Sequence, residues 1–79
     1  MKKAEMYYRV GEDYFSREKD LDVLKTALGA FNSSEAMYIQ AIQKGNPSLM
    51  DKLEIVRKKQ KEVKECLDNL ILQPTVILN

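Results

Sequence analysis

Among the side chains able to do chemistry, histidine is missing from all 79 residues, and cysteine occurs once, at Cys66. Histidine is the usual proton carrier near neutral pH and the commonest metal ligand. Its absence removes Ser-His, Cys-His and His-metal arrangements together. Cys66 stands beside Leu67 and near Val63 and Leu70, so it reads as a structural thiol without an activating base. Glu12-Asp13 offers two carboxylates for acid/base work or metal binding. Neighbours on a helix point about 100° apart, so the two do not converge on one atom. Helical di-metal sites also need Glu-x-x-His pairs. The sequence thus predicts no catalytic residue, no metal and no cofactor, and a protein that is not an enzyme.

Arg57-Lys58-Lys59-Gln60-Lys61 is the one basic run that could grip phosphates. Glu54–Lys58, Lys58–Glu62, Lys61–Glu65 and Lys64–Asp68 are each four apart and opposite in charge, the spacing of a solvated, self-neutralising helix face. Over the whole chain 13 Lys+Arg stand against 12 Asp+Glu, a formal charge of +1. No field favours a polyanion, and nucleic acid is not an expected partner. The tyrosines Tyr7, Tyr8, Tyr14 and Tyr38, with Phe15 and Phe31, are all the aromatics. They read either as core or as a half-exposed recognition groove, because a phenol needs water or a partner for its hydroxyl.

Helices must position these residues. Ala4, Tyr7, Tyr8, Gly11, Tyr14 and Phe15 recur at steps of three and four, with Val10 beside them, predicting a first helix. Gly11 on that face either lets a neighbouring helix approach closely or simply weakens the helix. After SREKDLD, with Asp20 as N-cap, a second helix carries Leu21, Leu24, Ala27, Leu28 and Phe31. Its stripe continues through Tyr38, Ala41 and Ile42 to Lys44, closed by Gly45. Asn32-Ser33-Ser34-Glu35 has capping-box spacing, so residues 21–44 form either one helix or two. Asn46-Pro47 opens a third helix, whose Leu49, Leu53, Val56, Gln60, Val63, Leu67 and Leu70 make a heptad seam with one polar intruder. Gln73-Pro74 should end it. The expected fold is all-α: an antiparallel three-helix bundle over residues 1–73, followed by a short apolar C-terminal tail, 74–79.

With Ala27-Leu28-x-x-Phe31, Tyr38-x-x-Ala41-Ile42 and a third helix rich in lysine and glutamate ending in leucines, residues 4–72 resemble the microtubule-interacting and trafficking domain. Val10-Gly11-x-x-Tyr14 is similar to the first helix of a tetratricopeptide hairpin. The resemblance implies a non-catalytic adaptor that captures a partner helix or extended tail in a groove between its second and third helices.

The expected function is a small intracellular interaction module. Tyr7, Tyr38, Ile42, Val76, Ile77 and Leu78 are its expected partner-binding residues, the tail covering the groove either in cis or in trans. The alternative is a structural subunit that self-associates through the third-helix seam. Hydrophobic residues make up 44% and charged residues 32%, a globular balance. No apolar run approaches the ~20 residues that span a bilayer. The lone cysteine fits a reducing compartment, and the chain reads as soluble and cytoplasmic.

Overall fold

The computed structural model of the chain describes residues 2–17 and 19–77, with side chains over 2–17 and 19–71. Three α-helices form an antiparallel bundle: α1 (Lys2–Phe15), α2 (Leu21–Gln43) and α3 (Met50–Ile77). Among the described residues there is no strand. The body is elongated, 54 × 18 × 14 Å, because α2 is the centre and α1 and α3 each pack along it.

Local signals set most helix ends. The Asp20 carboxylate accepts the Val23 amide at 2.9 Å, satisfying one of the free donors at the start of α2. At its other end Gly45 takes φ 104°. The Gly45 amide donates to the Ile42 carbonyl at 3.0 Å and the Asn46 amide to the Ala41 carbonyl at 3.2 Å. That is a complete Schellman closure, which a side chain at position 45 would strain. Pro47 starts not an α-helix but a 3-10 turn, Pro47–Leu49, from which α3 continues. Asn46 does not cap it with its side chain; its Oδ1 accepts the Ser48 hydroxyl at 2.9 Å.

The interruption at Asn32-Ser33-Ser34-Glu35 does not break α2, which runs unbroken for 23 residues. Its polar side chains are used between helices instead. Ser34 is fully buried, and its hydroxyl donates to the Ala4 carbonyl of α1 at 2.7 Å. Asn32 and Glu35 face α3. Gln60 Nε2 donates to Asn32 Oδ1 at 2.8 Å and to Glu35 Oε1 at 3.0 Å, using both amide hydrogens. Arg57 Nε donates to Glu35 Oε2 at 3.2 Å. The four i,i+4 pairs expected along α3 stay open; among the described residues the closed ion pairs are Arg57–Glu35 and Arg17–Asp13.

The core joins Ala4 of α1, Leu24, Ala27, Phe31 and Tyr38 of α2, and Leu53, Val56 and Val63 of α3. The heptad seam is therefore closed against α2, with Leu49, Leu67 and Leu70 packed at its ends. Cys66 is partly buried beside it. Gly11 is buried where α1 crosses Phe31; a Cβ there would lie 2.7 Å from the ring. Tyr8 packs on the same ring, centroids 5.6 Å apart and tilted by 56°, a favourable edge-inclined arrangement.

The helix does not end at Gln73. It continues through Pro74 to Ile77. Proline biases its predecessor away from helical geometry without forbidding it, and α3 continues past it without the one bond that an amide at position 74 would have made to the Leu70 carbonyl.

Candidate functional site: the cleft between the first and third helices

Because both outer helices rest on α2, a cleft remains between them. Glu5, Tyr8, Arg9 and Glu12 form its α1 wall, following one another at helical steps of three and four. Lys52, Ile55 and Val56 form the α3 wall, and Tyr38 of α2 is the floor. Its volume is about 280 Å³, below the usual range for cofactor and drug sites of ~300–1,000 Å³. It suits one or two apolar side chains of a partner. Val56 and Tyr38 are buried, whereas Ile55 at the lip is 50% exposed.

A second, shallow depression toward the end of α1 shares Arg9 and Glu12 with the cleft. There Arg9 and Glu12 are joined by Phe15, Lys19 and Lys59. The Phe15 ring lies 4.1 Å from Lys19 Nζ and 6.0 Å from Lys59 Nζ, within cation–π reach. Lys19 also donates to the Phe15 carbonyl, satisfying one of the carbonyls freed at the end of α1.

The two phenols of the cleft titrate above their usual value. Burial, and next the Glu12 carboxylate one turn away, push the Tyr8 hydroxyl up to about 12. Burial and the nearby Glu5 raise Tyr38 as well. A tyrosine hydroxyl is protonated at neutral pH with or without such a shift, so both can donate a hydrogen bond there. Among the described residues no three Cys, Asp or Glu side chains are grouped to hold a metal ion.

Of the residues singled out from sequence, Tyr38 lines the cleft. Tyr7 does not: it is half-buried, and it is absent from the walls, where Tyr8 stands. Ile42 is half-buried one turn beyond Tyr38, packed on the core rather than on the cleft. The backbone at Val76 and Ile77 is helical; their side chains, and Leu78 altogether, lie outside the described residues. Between α2 and α3 lie the buried seam and the Asn32–Gln60–Glu35 layer.

Sequence reasoning missed Tyr8 and Ile55. The buried pair Ala4 and Gly11 fixes which side of α1 meets α2, and that rotation turns Tyr8 toward α3. Ile55 adjoins seam residue Val56 but falls off the heptad, the signature of an apolar residue left at a lip. No helix among the described residues is long and apolar enough to cross a membrane. Comparison of the chain with protein-family models, with curated proteins and with solved structures gives no match.

Proposed function

We propose that this chain is a small non-catalytic helical interaction module that binds a partner helix or extended peptide in the cleft between α1 and α3. The observation that carries the reading is the cleft's composition. Two phenols sit beside a half-exposed isoleucine, with charged residues of both signs at the rim. An apolar, aromatic centre within a polar rim is the anatomy of a protein-recognition site. This is an adaptor of the kind the trafficking-domain resemblance implied, with the groove assigned to a different pair of helices.

The test begins with selection of binders from a displayed library of helical and extended peptides. Affinity is then measured by fluorescence anisotropy against the wild-type chain and variants. Ile55→Glu and Tyr8→Ala should each weaken binding by roughly tenfold or more, as loss of a central anchor does. Amide shifts on binding should centre on Tyr8, Tyr38 and Ile55. Absence of any selected binder, or binders indifferent to Ile55→Glu, would refute the cleft as the site.

A further inference from the structure

One face of α1 carries an apolar ridge that the fold covers only at its Tyr14 end, where the ring packs partly on the core and lies under the Arg17 guanidinium. Met6 is 52% and Val10 38% exposed, and Tyr14 is half-buried. At four-residue intervals these three follow one ridge of the helix. A shallow depression along this face is lined by α1 residues and Arg17 just beyond its end. The adjacent ridge is charged and alternates in sign: Glu5, Arg9, Asp13, Arg17; Asp13 and Arg17 pair with each other in the single chain, so docking exchanges that pair for contacts between copies.

That alternation is complementary to itself when reversed. In an antiparallel two-fold pairing each flank of the helix meets the same flank of its mate. With the axis near Val10, Val10 meets Val10 and Met6 meets Tyr14. Arg9 of each copy then comes beside Asp13 of the other, and Glu5 beside Arg17. A parallel pairing sets the charged ridge against Lys3 and Tyr7 instead and has no such match. We propose that the Met6–Val10–Tyr14 face of α1 is a self-association surface, on which a second copy of this chain docks antiparallel through reciprocal Arg9–Asp13 pairs.

This surface shares Glu5 and Arg9 with the cleft wall, while its Met6–Val10–Tyr14 ridge takes no part in the cleft. The third-helix seam cannot serve the same purpose, since α2 covers it. A helix of 14 residues is about 21 Å long, so the contact falls well short of the ~800 Å² per partner of a standard interface. The association is accordingly weak and visible only at high protein concentration.

Sedimentation equilibrium on the full chain, from micromolar to about millimolar, tests this with two charge reversals. Arg9→Glu and Asp13→Lys each place like charges together at both reciprocal contacts, and each alone should weaken association by about tenfold or more. Mixed in equal amounts, the two variants regain opposite charges at both contacts, and dimers should reappear. Restoration on mixing cannot come from pairing inside one helix. Circular dichroism of each variant, matching wild type, keeps loss of folding apart from loss of contact. A wild-type chain that stays monomeric, single variants that associate as well as wild type, or a mixture that remains monomeric overturns the proposal. Loss of self-association in Ile55→Glu overturns it too, by placing the contact in the cleft.

Discussion

Gly11 and Gly29 are the same residue type inside helices, and their surroundings give them opposite meanings. A methyl at position 11 would press on the buried Phe31 ring, while nothing lies within 4 Å of one at position 29. Replacing either by alanine favours the helix by roughly 1 kcal/mol. Overpacking a closed contact costs about 1–3 kcal/mol, so Gly11→Ala should destabilise on balance. Gly29→Ala should stabilise by up to about 1 kcal/mol. Urea unfolding of the two variants beside wild type reads both signs in one experiment. Tyr8 gives a second prediction at this scale. Its hydroxyl is raised from about 10 to about 12 in the fold, so the stability it contributes is complete below pH 10. As the pH climbs to about 12 that stability is lost, because the unfolded chain then releases its proton first. Tyr8→Phe should flatten this alkaline limb, measured by unfolding midpoints across the range. Ultraviolet difference spectra should show one fewer late-titrating phenol in the variant than in wild type, Tyr38 remaining raised in both.

At the scale of the helix, Gly45 ends α2 in the left-handed region with two closing hydrogen bonds. Gly45→Ala should cost about 1–2 kcal/mol with little change in the shape of the native circular dichroism spectrum, because the rest of α2 is packed. Such ends were legible in sequence, since Asp20 and Gly45 act on backbone groups within a few residues of themselves. The heptad seam was legible for a related reason: Leu53, Val56, Gln60 and Val63 recur on one face, and that face is the buried one. Asn32-Ser33-Ser34-Glu35 was not. Polar residues inside a helix resemble a cap when only their neighbours are considered, and here their partners are Ala4, Arg57 and Gln60 on other helices. The cleft divides in the same way. Tyr38 followed from its stripe, while choosing Tyr8 over Tyr7 required the rotation of α1 that Gly11 and Phe31 impose on each other. Pro74 was read by a rule of bias and stands inside the helix.

For the whole molecule, Glu35 makes stability depend on acid. The Gln60 amide, and after it Arg57, hold its carboxyl below the ordinary value of about 4.5. A depressed value means that this stabilisation is present above about 4.5 and drains away as the pH falls through the lower folded value. Glu35→Gln should therefore flatten the acid limb of a stability–pH curve and lower stability at neutral pH, both measured by urea midpoints.

The Asn32–Gln60–Glu35 layer also works as an alignment pin. A seam of leucines and valines, taken alone, offers α3 several places to sit along α2, each one heptad from the next and nearly equal in apolar contact. A slip of seven residues leaves a hydrophobic side chain facing Asn32 and Glu35, and strands the Gln60 amide against apolar neighbours. A displaced setting then leaves the buried Gln60 amide without partners, costing about 1–3 kcal/mol, while the more exposed Asn32 and Glu35 return to water. Gln60→Leu removes that discrimination. The variant should keep or gain resistance to heat while its amide resonances broaden or double, as α3 occupies more than one position on its track.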